Sequence, residues 1–219
     1  MPDPDWLERL NEIKKHVLSN EDRWGTSQFS FRVDRDDTYL ALRQHIRNIR
    51  FVAARNPDDQ GTNTVSATNH WTLFFDTSAD ASVPSSTEVD MCPNEPGEPG
   101  MIVLERKACR PLVDQVHEAE CLVLEADATI VDFLEVILKN ERDKYIFSPN
   151  SEGCRFWLTT VAGDFVEAGL IRAGDAEDAK GALKKYWKDP KKLGYEPDSA
   201  SEERTMDKGV FFGQHAAVR

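Results

Sequence analysis

Long apolar runs are absent from this chain. No stretch approaches the roughly 20 apolar residues that a membrane-spanning helix needs, and the segment from Met1 to Asp5 lacks the basic and apolar regions of a signal peptide. Basic residues are outnumbered, with 27 Lys and Arg against 39 Asp and Glu, for a net charge of -12. Because this charge opposes polyanionic partners, we do not expect the protein to bind nucleic acid. From the lack of apolar runs and of a signal peptide we expect a cytoplasmic protein that does not span a membrane.

Disulfide and metal-binding patterns are missing as well. The four cysteines are widely spaced, without a C-x-x-C pair: Cys92, Cys109, Cys121 and Cys154. Such spacing favours a reduced protein over a disulfide framework or a zinc site. The five histidines form no metal signature, and no glycine-rich phosphate loop is present. The sequence therefore predicts neither a metal nor a cofactor, and it leaves the oligomeric state open.

The chain does have enough apolar residues for a packed core, with 40% hydrophobic residues among 219. We expect one α+β domain over residues 1–219, with a core at about 48–171, N-terminal helices within 5–47, and a C-terminal helix and wrap within 175–219. Helical spacing predicts helices at about 5–18, 38–47, 127–140, 154–169 and 175–187. Alternation and short apolar runs predict strands at about 28–33, 48–55, 69–76, 87–91, 101–108, 120–125, 145–147 and 210–212. The predicted architecture is a central, mostly antiparallel sheet packed by helices.

The most informative stretch surrounds Cys154. A short aromatic run ends in a Ser-Pro-Asn-Ser-Glu-Gly turn, and a helical pattern follows at once. Cys154 therefore begins a helix, where unpaired N–H groups and the helix dipole stabilise a thiolate and can hold an oxyanion. Gly153 allows the sharp turn that precedes it. Cys154 is thus a candidate nucleophile, although most free cysteines are simply small buried apolar residues.

A thiol nucleophile needs a base within hydrogen-bonding reach and a third group that orients the base. His70 begins the clearest strand of the chain and is the candidate base. Asp90, in the next predicted strand, is our first choice for the third group. Glu88 points the same way in strand alternation and stays open as an alternative. Asn150 is a candidate oxyanion donor beside the amide of Cys154.

Three further residues flank these candidates and define a possible substrate cleft. Arg155 lies one residue into the helix, where its planar guanidinium could pair with a carboxylate. Trp71 and Trp157 would supply aromatic walls. The ordinary reading of Arg155 is a surface ion pair. The long stretch at 77–100 is a candidate lid, although length and composition do not separate a lid from disorder.

These pieces resemble the circularly permuted NlpC/P60 branch of the papain-like fold, which includes lecithin:retinol-acyltransferase-like proteins and PPPDE peptidases. In that branch a histidine precedes the cysteine, and the cysteine begins a helix after a motif like Asn-Cys-x-x-Phe. The matching pieces lie within about residues 65–170: His70 with Trp71, and the segment from Asn150 to Phe156 with Cys154. Three residues separate Asn150 from Cys154 here, where the family joins them, and no second histidine follows on the next strand. The segment after Gly153 also looks like proteins of filamentous fungi.

The resemblance implies a cysteine-dependent hydrolase or acyl-transfer enzyme acting on a small-molecule or peptide carbonyl substrate. Cys154 would attack the carbonyl, His70 would move the proton and Asp90 would hold the imidazole. Two alternatives stay open. One is a non-catalytic protein that binds a small molecule or peptide in the cleft near His70 and Arg155. The other is an enzyme of specialised metabolism in which His70, with Asp90 or Glu88, transfers a proton without a covalent step.

Overall fold

The structure is a computed structural model that describes residues 8, 29–31, 42–55, 68–77, 86–94, 97–107, 115–188 and 201–212. The helix predicted at about 5–18 lies outside these residues except for Glu8, which is helical and exposed. Cys109 also lies outside these residues. So do residues 78–85, 95 and 96 of the candidate lid at 77–100.

A six-stranded sheet forms the centre of the described fold. Its strands are β1 (Phe29–Phe31), β2 (Asn48–Ala54), β3 (His70–Asp76), β4 (Ser86–Cys92), β5 (Met101–Lys107) and β6 (Gln115–Leu122). They lie in the order β1-β5-β4-β3-β2-β6, and every neighbouring pair is antiparallel except β1 with β5. Strands β2 to β5 therefore form a meander, and β6 returns to lie beside β2. The prediction of a mostly antiparallel α+β fold is confirmed.

The core lies between one face of this sheet and the helices. Strand alternation places Trp71, Leu73 and Phe75 on that face, and all three are buried. Phe75 packs against Phe133 at 5.1 Å between ring centroids, and Phe133 packs edge-on against Phe165 at 4.8 Å. These aromatic contacts join the middle of the sheet to two successive helices.

Three helices that lie wholly within the described residues cover the core: α1 (Ile130–Lys139), α2 (Cys154–Glu167) and α3 (Ala173–Leu183). Helix α2 is central, because it contacts β3, β4 and both other helices. Gly169, with a φ of 75°, follows α2 as the sequence predicts. No helix in the described parts of the chain combines the length and the apolar character that crossing a membrane requires.

Two pairs of short strands complete the described fold. Strand β7 (Tyr145–Ile146) pairs with β10 (Val210–Phe211), and β8 (Lys185–Trp187) pairs with β9 (Ser201–Glu203). Both pairings are antiparallel. The closing strand predicted near residue 210 is confirmed, and it brings the end of the described chain beside the aromatic run that precedes Cys154.

Two predicted helix boundaries were wrong because local hydrogen bonds end the helices early. Helical structure ends near Leu42 instead of residue 47, since His45 forms a β-bridge with Thr129. Helix α3 ends at Leu183, and Trp187 lies in β8, although the sequence predicted a helix through it. The side chain of Asn69 accepts the Trp187 N–H at 2.7 Å and donates to its carbonyl at 2.9 Å, which holds this residue extended.

The starts of strand β6 and helix α1 also differ from the prediction, the first because of side-chain exposure and the second because of helix capping. Strand β6 begins at Gln115 instead of residue 120, because this edge strand alternates partly exposed and exposed side chains and lacks an apolar run. Helix α1 is preceded by Thr129 and not capped by Asp127. The carboxylate of Asp132 accepts the Thr129 N–H at 2.6 Å and its hydroxyl at 2.8 Å, which satisfies a donor at the helix start.

A buried arginine ties three strands together on the other face of the sheet. Arg50 in β2 is fully buried and donates two hydrogen bonds to Asp76 in β3, at 2.9 and 3.1 Å. Its remaining terminal nitrogen donates to Glu118 in β6 at 2.9 Å, and its guanidinium lies 5.1 Å from the centre of the Phe74 ring. Removing this guanidinium would take both of these hydrogen bonds from a nearly buried carboxylate.

We expect Arg50→Met, which keeps most of the side-chain length, to lower the free energy of unfolding by about 3–5 kcal/mol. The measurement is urea unfolding followed by circular dichroism. The control is Arg172→Met, because the Arg172 side chain is 58% exposed in its ion pair with Asp175, and its loss should be much smaller. Equal losses in the two variants would contradict a structural role for the buried pair.

Candidate active site

Cys154 is the first residue of α2, as the sequence predicts. The first helical hydrogen bond runs from the Trp157 N–H to the Gly153 carbonyl at 2.9 Å. The N–H groups of Cys154, Arg155 and Phe156 therefore precede the bonded turns of the helix. Together with the helix dipole they favour negative charge at the sulfur or on a bound oxygen.

Gly153 is required on two grounds. Its φ of 151° is a conformation that residues with a side chain rarely adopt. A Cβ atom at this position would lie 2.5 Å from the Tyr145 hydroxyl oxygen and 3.2 Å from the Phe147 ring. The cysteine turn can therefore pack against these aromatic side chains only with glycine before Cys154.

His70, Asp90 and Cys154 lie together. The Nε2 atom of His70 is 3.1 Å from Oδ2 of Asp90, and the Cys154 side chain lies near enough to the imidazole to raise its pKa. The His70 side chain is 38% exposed and that of Asp90 is 21% exposed, so the group is reachable from solvent.

The surroundings of His70 favour its charged form. Burial lowers the pKa of His70, but hydrogen bonds and charge attraction from Asp90 and Cys154 outweigh it and raise the pKa from 6.5 to about 10. The imidazole is therefore protonated at neutral pH. An imidazolium beside a thiol stabilises the thiolate, which is the form of cysteine that reacts as a nucleophile.

The two acidic alternatives for the third position differ in their partners. Glu88 forms an ion pair with Lys107 at 3.2 Å, whereas Asp90 contacts the imidazole. The other carboxylate oxygen of Asp90, Oδ1, is buried without a hydrogen-bond partner among the described residues. Asp90 is thus the residue placed to orient His70, and its Oδ1 atom can still accept a hydrogen bond from water or a ligand.

Asn150, the candidate oxyanion donor, lies in the turn before the helix and is exposed. Its side-chain amide donates to Asp207 at 3.1 Å, and the Ser148 hydroxyl reaches the same carboxylate oxygen at 3.5 Å. These contacts join the cysteine turn to the C-terminal segment. A role for Asn150 in holding an oxyanion stays a prediction.

Arg155, the candidate carboxylate-binding residue, is used within the protein. Its side chain is 5% exposed and lies 3.6 Å from the Glu152 carboxylate. Its Nη2 atom donates to the Thr205 carbonyl at 2.8 Å. The guanidinium therefore anchors the C-terminal segment to the first turn of α2 and does not face an open cleft.

The two tryptophans proposed as cleft walls lie in the core. Trp71 is 1% exposed and packs edge-on against His117 at 6.2 Å, and Trp157 is fully buried. The Trp157 indole N–H donates to the Arg142 carbonyl at 2.7 Å. Helical and strand periodicity turns both rings towards the packed face of the sheet, so the structure assigns them to the core instead of a cleft.

No specific pattern in the sequence marks the residue that supports the cysteine turn. Tyr145 is fully buried, and its hydroxyl donates to the Gly153 carbonyl at 3.0 Å and accepts the Gly209 N–H at 2.9 Å. Burial raises the pKa of this phenol above its usual range, and the nearby Cys154 raises it further. Tyr145 was predicted only as part of an aromatic strand.

Other parts of the described structure offer less to a chemical reaction. A groove of about 410 Å³ lies between α3 and β8, where His117 stacks on Trp187 at 3.4 Å, and none of the candidate site residues lines it. Among the described residues, no three or more His, Cys, Asp and Glu side chains are grouped so that they could hold a metal ion.

The raised pKa of His70 gives a testable pH dependence. We expect the imidazole to titrate near pH 10 by NMR, and Asp90→Asn to shift this titration towards 6.5, because a negatively charged hydrogen-bond acceptor is replaced by a neutral amide. Because the pKa of His70 is raised in the folded state, its protonated form stabilises the protein. This stabilisation is fully present below about pH 6.5 and is lost as the pH rises through 10. The difference in unfolding free energy between wild type and Asp90→Asn should therefore shrink over that window.

Asp175→Asn is the matched control for this titration, because Asp175 lies in α3 and pairs with Arg172. It removes the same charge and should leave the His70 titration unchanged. A wild-type His70 that titrates near 6.5 would contradict the contact with Asp90.

One family model covers most of the described fold. The model of a domain of unknown function, DUF7770, matches residues 49–212. No curated protein matches the chain, and no solved structure matches it. The matched range runs from β2 to the end of β10 and includes His70, Asp90 and Cys154. The chain therefore belongs to the DUF7770 family.

Proposed function

We propose that this protein is a cysteine-dependent hydrolase or acyl-transfer enzyme. The observation that carries the proposal is the position of the His70 imidazole, which lies 3.1 Å from the Asp90 carboxylate and near enough to the Cys154 side chain for that thiol to raise its pKa. These residues provide a nucleophile, a proton carrier and an orienting group. The position of the sulfur at the start of α2 adds N–H donors for a developing oxyanion.

The proposed reaction begins with the Cys154 thiolate, which attacks the carbonyl carbon of the substrate. A bond forms between sulfur and carbon, and the carbonyl electron pair moves onto oxygen, where the N–H groups at the start of α2 stabilise it. The His70 imidazolium gives its proton to the leaving group as the bond to that group breaks. Water, or an acceptor alcohol or amine, then attacks the thioester while His70 takes the proton, and the thiolate is restored.

The protonation of His70 favours this reaction over proton transfer alone. A general base must be free to accept a proton at the working pH, and a pKa of about 10 leaves the His70 imidazole protonated at neutral pH. A thiolate–imidazolium pair needs that protonated form. His70 would therefore be a poor general base for an enzyme that only transfers a proton, but a suitable partner for the Cys154 thiolate.

The contacts of Arg155 and of the tryptophans weigh against a purely ligand-binding protein with the predicted cleft. Arg155 is bound to the Thr205 carbonyl, and Trp71 and Trp157 are buried. The residues that would have recognised a carboxylate or stacked on a ligand are thus occupied in the fold. The exposed part of His70 beside Cys154 is the more suitable place for a substrate carbonyl.

The pairing of Cys154 with His70 can be tested by alkylation with iodoacetamide from pH 6 to 9, read at each cysteine by peptide mass spectrometry. We expect Cys154 to react at least about tenfold faster than the other cysteines at pH 6.5, since the imidazolium favours the thiolate. Cys121 should be the slowest of those described, because burial raises the pKa of its thiol to about 12. His70→Ala should remove the advantage of Cys154.

His45→Ala is the matched control for the alkylation experiment. His45 is exposed and contacts the Asp127 carbonyl through Nδ1 at 3.0 Å, so its loss should leave the labelling of Cys154 unchanged. The proposal fails if Cys154 reacts no faster than Cys92, or if His70→Ala and His45→Ala have the same effect.

Turnover separates the covalent from the non-covalent reading. With p-nitrophenyl acetate as a reactive test ester, we expect Cys154→Ala to abolish acylation and His70→Ala to slow it by about 100-fold or more. Cys92→Ala is the control and should keep the wild-type rate. Release of nitrophenolate that depends on His70 but survives Cys154→Ala would favour proton transfer to water, and the covalent proposal would then be wrong.

A further inference from the structure

We infer that the Tyr145 hydroxyl is a positioning group that directs the Cys154 N–H towards the oxyanion formed during acyl transfer. This inference rests on the proposed function and adds to it a residue that does not touch the substrate. It predicts that Tyr145 affects reactions at a carbonyl group and leaves simple alkylation of the same sulfur unaffected.

The hydroxyl has a role that packing alone does not require. The Tyr145 ring lies against Phe147 at 5.2 Å and Phe211 at 4.8 Å between ring centroids, contacts that a phenylalanine would also make. Its oxygen, however, is the donor to the Gly153 carbonyl at 3.0 Å and the acceptor for the Gly209 N–H at 2.9 Å. Both hydrogen bonds are buried, so each fixes a backbone group without competition from bulk water.

The bond to Gly153 also controls Cys154, because the two residues share a peptide plane. In a trans peptide the carbonyl of one residue and the N–H of the next point in opposite directions. The Gly153 carbonyl accepts hydrogen bonds from the Tyr145 hydroxyl and from the Trp157 N–H at 2.9 Å. Two bonds on this oxygen set the plane, and therefore the direction in which the Cys154 N–H points.

This plane needs support because it follows a glycine. Gly153 has a φ of 151° and carries no side chain that would restrict rotation. Rotation of the peptide would turn the N–H of Cys154 away from a carbonyl oxygen on the substrate. An oxyanion donor is effective only when it is already directed at the developing charge, so the hydroxyl supplies the restraint that glycine lacks.

A C-terminal strap, residues 205–212, supplies the second partner of the hydroxyl, the Gly209 N–H. The strap is held by the bond from Arg155 to the Thr205 carbonyl, by the pairing of Val210 with Ile146, and by the Phe212 N–H, which donates to Lys144 at 3.2 Å. These contacts bring the backbone of the strap against β7, where its N–H groups can reach the buried phenol.

Gly209 allows the strap to come this close. A Cβ atom at Gly209 would overlap the Tyr145 ring and the Ile146 carbonyl. The two glycines therefore both bind one hydroxyl, Gly153 as acceptor and Gly209 as donor. This arrangement joins the strap to the first residue of α2 through a single side chain.

Two reactions of the same sulfur separate positioning from general support. Acylation by p-nitrophenyl acetate passes through a tetrahedral oxyanion before nitrophenolate leaves. Alkylation by iodoacetamide displaces iodide from a methylene carbon, and the attacked carbon never carries an oxyanion. A group that aims the Cys154 N–H is needed in the first reaction, whereas the pair of Cys154 with His70 is needed in both.

The test compares Tyr145→Phe with wild type in both reactions, across pH 6 to 9, with adducts located on Cys154 by peptide mass spectrometry. We expect the acylation rate to fall about tenfold or more, while the alkylation rate and its pH profile stay within about twofold of wild type. Tyr186→Phe is the matched control, because Tyr186 lies in β8 beside Arg204. It should change neither rate.

A second variant restores a hydrogen-bond donor at position 145. It also keeps the test decisive if Tyr145→Phe does not fold. Placing 4-aminophenylalanine at position 145 keeps an N–H that can donate to the Gly153 carbonyl, and acylation should return towards the wild-type rate. Circular dichroism checks the fold of each variant. If Tyr145→Phe is unfolded, the amino variant decides the matter, and loss of its acylation with intact alkylation would overturn the inference.

The possible outcomes distinguish this inference from the proposed function. Unchanged acylation in Tyr145→Phe, or an equal fall in both reactions, would show that the hydroxyl does not position an oxyanion donor. Wild-type protein in which Cys154 shows no fast reaction of either kind would instead overturn the proposed enzyme itself.

Discussion

The rest of the site depends on the close approach of the cysteine turn to Tyr145. Gly153 lies so near the phenol that no side chain fits between them, and the hydroxyl binds the carbonyl just before Cys154. This contact fixes where α2 begins. It also determines where the sulfur lies relative to the sheet, because α2 then packs along β3. A helix that began one turn later would remove both the sulfur and its N–H donors from His70.

The sheet brings His70 and Asp90 together by ending a strand pairing early. Strands β3 and β4 are neighbours, and their described register runs from Asp76 opposite Ser86 to Leu73 opposite Val89. His70 and Asp90 lie beyond the last of these pairs. Their side chains contact each other there, and the Cys154 side chain at the start of α2 lies near enough to the same imidazole to raise its pKa.

The sequence predicted what depends on local pattern and missed what depends on tertiary contacts. The apolar alternation of β3 and the turn before Cys154 located the candidate base and nucleophile. The sequence could not show that Asn69 would hold Trp187 in an extended conformation, because these two residues come into contact only in the folded protein. For the same reason Tyr145 gave no functional signal, since its role is a hydrogen bond to a backbone group that no residue type reveals. The papain-like layout stays a prediction.

The residues that the sequence suggested for substrate binding support the site in another way. Trp157 and Arg155 occupy the first turn of α2, where one fills the core and the other binds the strap. For a cysteine nucleophile the start of the helix should be rigid, because its N–H donors must point at the substrate oxygen before negative charge develops there. Burial of these side chains therefore fits the catalytic role that we propose for this turn better than it fits an open ligand-binding cleft. It leaves the exposed edge of His70 as the direction from which a carbonyl substrate would approach.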